Sequence, residues 1–266
     1  MNIAHIKEQG LDLPKVYVKL GIKKGDTVFI HAKLIAFGGV AGSKEELCKF
    51  FIDPLLTILG PKGTIVALAY TFSYTSYGTP YIHEKSSSEA GMLTEYIRTM
   101  KGAERSFHPF ISVVAYGAKA KEITNDVPRS AYGWGSPWQR MHELGAKCLY
   151  LGLTCGVSCT FLHYVEQQYG VPYCFDKAFF HPAYKKGKLQ KGPFLAYLRK
   201  RASPPYTLYS FARFEREMKK RKLVKEHLHK GAPMQVHNFT DAFTVCMDML
   251  DTDPCILLEG PYYMAE

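Results

Sequence analysis

Apolar runs alternate with mixed segments along the first 170 residues, in a pattern typical of strands separated by helices. Four apolar runs predict buried strands, over residues 26–31, 64–70, 111–116 and 147–152. Strands that are apolar throughout are typical of sheets covered on both faces, whereas a half-exposed strand alternates apolar and polar positions. The pattern therefore predicts an α/β layered core with buried, partly parallel strands.

Helical segments are predicted between and after these strands. Ser43 is a suitable N-cap for a helix over residues 43–59, which has two glutamates in its first turn. Two more helices are predicted over residues 88–100 and 160–168, the last one directly after the Gly-containing loop that follows the fourth strand.

The second half of the chain differs from the first in composition. From about Val171 it is aromatic, Pro-rich and basic, and helical periodicity is absent until Leu208. The pattern then predicts a long basic helix over residues 209–229, with its large apolar residues on one face, and a shorter helix over residues 239–250. Neither an internal repeat nor a flexible linker is visible, so residues 1–266 are interpreted as one domain.

Positive charge is concentrated in one part of the chain. Between Lys185 and Lys230 there are fifteen Lys or Arg and three acidic residues, while the rest of the chain carries nineteen basic and twenty-one acidic residues. Such a surplus attracts polyanions and repels polycations in an adjoining cleft, although a solvated helix face is the simpler explanation. The basic, aromatic-rich region 171–230 is therefore expected to contribute to a binding site for an anionic ligand.

Composition narrows the class of protein. Apolar residues make up 47% of the 266, yet no run approaches the roughly 18 to 20 residues of a membrane span. Residues 1–8 lack the apolar core of a secretory signal, so a cytoplasmic location and no membrane partner are expected. The seven cysteines show no C-x-x-C spacing, and they are predicted to be mostly small buried residues.

The most suggestive local pattern is His163 followed three residues later by Glu166. Side chains at this spacing lie on the same side of a helix. A neutral imidazole can accept a proton near physiological pH, and a carboxylate beside it can orient the ring and stabilise the cation that forms. The pair could equally be a surface ion pair, but a helix that begins just after a strand would lie at the carboxyl edge of the sheet, where α/β proteins usually bind ligands.

Several further segments, read together with this pair, resemble the aminoglycoside 3-N-acetyltransferase family. The matching segments occur in the family's order and cover mainly residues 14–170: Gly91 to Arg98, Arg105-Ser106-Phe107-His108-Pro109 through Ser112, Gly133-Trp134-Gly135-Ser136-Pro137, Gly145 to Gly152, and Thr160-x-x-His163-x-x-Glu166. The resemblance implies a three-layer α/β/α fold with a mixed, largely buried central sheet. It also fits the lack of a G-x-G-x-x-G or P-loop motif.

The resemblance implies direct transfer from a coenzyme A thioester, acetyl-CoA or a longer acyl-CoA, to an amine. His163 matches the family's general base, and Glu166 is the candidate that orients it or holds the acceptor amine. Thr71, His108, Ser112 and Thr160 are candidates to stabilise the oxyanion or contact the acceptor, although His108 could be purely structural. The loop residues Ala32, Lys33, Leu34, Phe37 and Gly38, together with Ser106, are expected to border the pantetheine channel.

The charge distribution bears on the acceptor. Aminoglycosides are polycations, so the basic region favours instead an amino sugar linked to a nucleoside diphosphate, such as a dTDP-amino-deoxysugar used in surface glycan synthesis. Acetylation of an aminoglycoside antibiotic is the alternative, and some of the charge could serve the phosphates of coenzyme A. The sequence identifies neither the sugar nor the acyl chain. It is compatible with a homodimer.

Three other readings compete with direct acyl transfer. Cys159 lies four residues before His163, which allows a Cys-His acyl enzyme. The basic, aromatic region allows a nucleic-acid module, but the dense buried strands elsewhere fit that reading poorly, and no nucleic acid partner is expected. The third interpretation is a metal hydrolase that uses His163, Glu166 and His108, but no third ligand lies at a recognisable spacing, so no metal is expected.

Overall fold

The computed structural model describes residues 10–38, 43–200 and 208–260. The predicted absence of a secretory signal in residues 1–8 and part of the basic region, residues 201–207, therefore lie outside the described residues.

A mixed seven-stranded sheet forms the centre of the described structure. Its strands, in spatial order, are β11 (Lys225–His229), β12 (Ala232–Asn238), β6 (Lys147–Leu151), β1 (Thr27–Ala32), β2 (Thr64–Leu68), β5 (Val113–Gly117) and β4 (Glu104–Arg105). The central strand β1 is parallel to both of its neighbours, with Phe29 in register with Val66 on β2 and with Cys148 on β6. The outer strands pair antiparallel. All four predicted strands are present, within two residues of the predicted bounds at either end.

Helices cover both faces of this sheet. One face packs against α1 (Leu13–Lys19), α2 (Lys44–Leu59) and α4 (Met92–Thr99). The other packs against α3 (Phe72–Tyr77), α5 (Ala120–Thr124), α6 (Pro137–Glu143), α7 (Phe161–Tyr169), α8 (Ala212–Lys220) and α9 (Phe239–Thr252). Side chains along β1 alternate between the two cores, since Val28 and Ile30 point to the first and Phe29 to the second. The three-layer α/β/α prediction is thereby confirmed.

Local capping explains where two of the predicted helices begin. Ser43 caps α2 as predicted: its Oγ accepts the Glu46 amide hydrogen at 3.2 Å, and the Glu46 carboxylate accepts the Ser43 amide hydrogen at 3.0 Å. Helix α4 begins at Met92, four residues later than predicted, because Gly91 has a φ of 133°, which a helix cannot accommodate.

The long helix predicted over residues 209–229 is wrong in its second half. Helix α8 ends at Lys220, and Lys222 lies in the left-handed region at a φ of 59°. Strand β11 then pairs with β12 across the turn at Gly231. Pairing at the edge of the sheet has overridden the local helical pattern of this basic segment, which places the last five residues of the predicted helix in a strand.

Short strands, which the sequence did not predict, occupy part of the region after Val171. β7 (Cys174–Phe179) and β10 (Phe194–Arg199) form a separate antiparallel ribbon. β3 (Tyr81–Ile82), β8 (Ala183–Lys185) and β9 (Lys188–Leu189) form a second small sheet. Among the described residues, no helix has the length and hydropathy that a membrane span requires.

Candidate active site

His163 and Glu166 form a close pair in the first turns of α7. The Nδ1 atom of His163 lies 2.6 Å from Oε2 of Glu166, as their spacing predicted. The His163 side chain is 23% exposed and lines a cavity, whereas the side chain of Glu166 is fully buried. Because the carboxylate engages Nδ1, Nε2 is the ring nitrogen oriented for proton exchange with a ligand.

Tyr173 completes a chain of three groups. Its hydroxyl donates a hydrogen bond to Oε1 of Glu166 at 2.5 Å, so both carboxylate oxygens of Glu166 are engaged. Burial, and secondly the negative charge of Glu166, raise the pKa of Tyr173, which keeps the phenol protonated and donating. Tyr173 was missed because it lies beyond the end of α7, and no local pattern links it to Glu166.

A cavity of about 490 Å³ opens in front of His163. Its apolar wall is formed by Phe110, Ile111 and Leu198, and its polar wall by Tyr70, Tyr132, Thr160, His163, Tyr197, Arg199, Lys200 and Tyr209. The hydroxyls of Tyr70 and Tyr132 lie 2.9 Å apart, and burial raises the pKa of both phenols. The cavity therefore presents neutral hydroxyl groups close to the imidazole.

Thr160 is the predicted oxyanion candidate that lines this cavity. It is the N-cap residue of α7, and its backbone N–H points to Nε2 of His31 at 3.4 Å. Burial, and to a smaller extent His237 and His163, lower the pKa of His31 to about 3. A neutral imidazole at the end of β1 thus accepts the N–H of Thr160 and links the start of α7 to the central strand.

The predicted candidates Thr71 and Ser112 both lie beside Arg105. Oγ1 of Thr71 accepts a hydrogen bond from Nη2 of Arg105, and Oγ of Ser112 accepts one from Nε, both at 3.0 Å. The Ser112 hydroxyl itself donates to the Ala69 carbonyl at 2.7 Å. Both side chains are buried and hold the largely buried guanidinium of Arg105, and neither lines the His163 cavity.

The ring of His108 is engaged on both sides by the backbone. Its Nδ1 accepts the N–H groups of Phe110 at 3.2 Å and Ile111 at 2.8 Å, and Nε2 lies 3.2 Å from the Leu195 carbonyl. Burial lowers the pKa of His108 to about 4, so Nδ1 stays an acceptor and Nε2 the donor. His108 therefore links β10 to the turn before β5.

The loop expected to border the pantetheine follows β1. Ala32 and Lys33 are exposed, whereas Leu34 and Phe37 are buried in the core beside α2 and Gly38 is half-buried. The Lys33 amide donates to the Leu151 carbonyl at 2.8 Å, which ties the loop to the end of β6. Gly152 makes this approach possible, because a Cβ there would lie 2.4 Å from the Lys33 oxygen.

Two other predicted positions are buried away from the cavity. Ser106 is fully buried, and its Oγ accepts the Val113 N–H at 3.0 Å within the β4–β5 pair. Cys159 is 1% exposed, and burial raises the pKa of its thiol to about 12, which disfavours the nucleophilic thiolate. Neither residue lines the cavity. For Cys159, this position argues against the Cys-His acyl enzyme.

The charge of the basic region is dispersed rather than gathered at the cavity. Lys219 pairs with Glu215 and Glu226, and Arg221 pairs with Glu217 and Asp248. Of the described residues between Lys185 and Lys230, Arg199 and Lys200 are the cations that line the cavity. Within the described ranges, no cluster of His, Cys, Asp and Glu is arranged to hold a metal ion.

The comparisons with known proteins agree with one another. The family model described as aminoglycoside 3-N-acetyltransferase matches residues 29–251. The chain is 31% identical over 173 residues to aminoglycoside N(3)-acetyltransferase III of Salmonella sp, and the match covers 58% of each chain. The matched segment thus spans little more than half the length of this curated relative.

Two solved structures share the fold. The crystal structure of aminoglycoside acetyltransferase AAC(3)-Xa superposes with a TM-score of 0.77 at 24% identity, covering 90% of this chain and 91% of that one. The binary complex of AAC-IIIb with CoASH gives a TM-score of 0.74 at 24% identity, covering 90% and 95%.

Proposed function

Because the chain belongs to the aminoglycoside 3-N-acetyltransferase family, whose model matches residues 29–251, we propose that it transfers an acyl group from a coenzyme A thioester to the amine of an amino sugar. One observation carries the proposal: the chain of hydrogen bonds from Tyr173 through Glu166 to His163 ends at the wall of a cavity. An oriented imidazole at a ligand cavity is the arrangement that general-base catalysis requires.

In the proposed reaction, Nε2 of His163 removes a proton from the acceptor amine while the amine nitrogen attacks the thioester carbonyl. A carbon–nitrogen bond forms, the carbon–sulfur bond breaks, and the thiol of coenzyme A leaves after taking up a proton. Glu166 stabilises the imidazolium that forms in between. The hydroxyl of Thr160, at the start of α7, is the proposed donor to the developing oxyanion.

The coenzyme A thioester is proposed to reach His163 along the loop over residues 32–38. This loop follows β1, and the last buried residue of that strand, His31, accepts the Thr160 N–H. The exposed Ala32 and Lys33 therefore lie at the sheet edge from which α7 starts. The complex of AAC-IIIb with CoASH supports coenzyme A as the co-substrate. The cytoplasmic location remains a prediction.

For the acceptor, the relatives favour an aminoglycoside, which was the alternative interpretation of the sequence. The relative named above is an aminoglycoside acetyltransferase, and none of the three similar proteins is named for a nucleotide sugar. The first candidate acceptor is therefore an aminoglycoside amine.

A specific observation favours a second candidate, an amino sugar that carries a negative charge, such as the nucleotide-linked sugar expected from the sequence. The cavity lining contains Arg199 and Lys200, and among the described residues it contains no Asp or Glu. A polycation would meet repulsion at such a wall.

The decisive experiment measures thiol release with a panel of acyl-CoA thioesters, using aminoglycosides and nucleotide-linked amino sugars as acceptors. Transfer to any amino sugar that is lost in His163→Ala supports the proposed function. The control is His227→Ala, which changes a histidine on the edge strand β11. If no thioester and acceptor in the panel release thiol with the wild-type protein, the proposal fails.

A further inference from the structure

Arg199 lines the cavity with a guanidinium group that is partly buried and not fully hydrogen-bonded within the described residues. Its Nη1 atom is buried and has no hydrogen-bond partner within the described part of the chain. Leaving a buried donor unpaired is unfavourable, and it is more so for a charged group. Such a group in a native site calls for an explanation, and a bound ion or ligand is one.

The side chain is held in place at the end of β10. Arg199 is the last residue of that strand and pairs with Cys174 on β7. Its guanidinium carbon lies 4.4 Å from the centre of the Tyr209 ring, a cation–π contact. Because the ring contacts the flat face of the guanidinium, the N–H groups at the edge remain available. They can donate hydrogen bonds to a carboxylate or a phosphate.

Arg199 and the proposed base are neighbours through the same aromatic ring. The Tyr209 ring centre is 4.8 Å from the imidazole centre of His163, and all three side chains line the same cavity. Lys200 adds a second cation, although its Nζ also donates to the Pro172 carbonyl at 2.8 Å. A ligand whose amine meets His163 could thus place another of its groups against Arg199.

We propose that Arg199, supported by Lys200, forms an anion subsite in the His163 cavity that binds a phosphate or carboxylate group of the acceptor. The inference rests on the proposed function and narrows it, because such a subsite selects an anionic amino sugar over a polycationic one. A charge-assisted, bidentate contact would satisfy Nη1 and fix the orientation of the acceptor.

Coenzyme A also carries phosphates, so the test must separate the two sources of anion. Binding of inorganic pyrophosphate is measured by titration calorimetry to the wild-type protein, alone and saturated with coenzyme A. An acceptor subsite binds pyrophosphate in both states. If saturation with coenzyme A abolishes pyrophosphate binding, the anion site belongs to the coenzyme and the proposal is overturned.

Variants assign the site to Arg199. In Arg199→Gln the pyrophosphate Kd should rise by about tenfold or more, as expected for loss of a charge-assisted contact. Arg199→Lys should recover part of the affinity, since it restores the positive charge but not the paired N–H groups of the guanidinium. Arg216→Gln, which changes an exposed arginine on α8, is the matched control and should bind like the wild type.

Two outcomes keep this proposal separate from the proposed function. If Arg199→Gln binds pyrophosphate as tightly as the wild type does, the subsite is refuted, and acyl transfer through His163 stands or falls by thiol release. If thiol release is absent but the Arg199-dependent binding persists with coenzyme A present, the subsite holds while the acyltransferase proposal fails.

Discussion

Nδ1 of His163 lies 2.6 Å from Oε2 of Glu166, one turn farther along α7, and the carboxylate of this pair is wholly buried. A short bond to a buried anion fixes the ring orientation and favours the protonated imidazole during proton transfer. The first three predictions follow from this contact.

Removing the imidazole should abolish most of the activity. His163→Ala and His163→Asn are expected to lower kcat by about 100-fold or more, within the range for a general base. Coenzyme A binding should be nearly unchanged, because the proposed role of His163 is proton transfer. Steady-state kinetics and calorimetry with coenzyme A provide the measurements, and wild-type turnover in His163→Ala would refute the assignment.

Neutralising the carboxylate should slow transfer. Glu166→Gln keeps the shape and removes the anion that is proposed to stabilise the imidazolium, so we expect kcat to fall by at least about tenfold. Steady-state kinetics measure the change. A kcat equal to that of the wild type would mean that the pair is an ion pair without a part in the chemistry.

Removing the Tyr173 hydroxyl should slow transfer to a smaller extent. Tyr173→Phe deletes the 2.5 Å hydrogen bond to Oε1, so the carboxylate that orients the His163 ring is held less firmly. We expect kcat to fall a few-fold while coenzyme A binding is unchanged. Tyr169→Phe is a control on the same helix, whose hydroxyl donates to the Leu250 carbonyl, and it should keep the wild-type kcat. A wild-type kcat in Tyr173→Phe would show that Glu166 holds the ring without this hydroxyl.

Cys159 should be dispensable for catalysis. Its buried thiol, with a pKa raised to about 12, is poorly suited to attack a thioester. Cys159→Ala is expected to keep kcat within about threefold of wild type, and mass spectrometry after mixing with acyl-CoA should detect no acylated protein. An acyl group trapped on Cys159, together with an inactive Cys159→Ala, would instead establish the acyl-enzyme mechanism.

The protein should lose stability in mild acid. Burial lowers the pKa of His108 to about 4 from its usual value near 6.5, so the unfolded chain binds a proton that the folded chain excludes. The stabilising effect of the neutral ring is complete above about pH 6.5 and declines as the pH falls towards 4.

Between pH 7 and pH 5 this linkage amounts to about 2 kcal/mol for His108, an order-of-magnitude figure. His31 and His237, with pKa values lowered to about 3 and about 4, act with the same sign. Urea unfolding at both pH values measures the loss, which should be smaller in His108→Gln. A wild-type stability that stays level over this interval would contradict the prediction.

Local signals account for what the sequence predicted correctly. The strand over residues 26–31, the Ser43 cap and the placement of His163 beside Glu166 each depend on residues a few positions apart, where apolar runs and helical spacing are informative. The resemblance of the ordered motifs also identified the correct family, whose model spans these elements.

What could not be predicted depends on contacts between distant segments. Arg199 meets the ring of Tyr209, ten positions farther along the chain and outside its strand, and Thr71 meets Arg105 across 34 positions. The basic surplus was visible in the sequence, but its pairing with acids on α8, β11 and α9 was not. The number of basic residues therefore overstated the positive electrostatic potential of the region, and it could not identify Arg199 as a cation that lines the cavity.

The ribbon of β7 and β10 has a consequence for how this protein could diversify. It pairs with itself rather than with the central sheet, yet it supplies Tyr197, Leu198 and Arg199 to the cavity. His163 and Glu166 belong instead to α7, which packs in the same core as the buried residues of the ribbon. Substitutions at these three positions would change the cavity wall without replacing His163 or Glu166, which makes them the positions to randomise when a new acceptor specificity is sought.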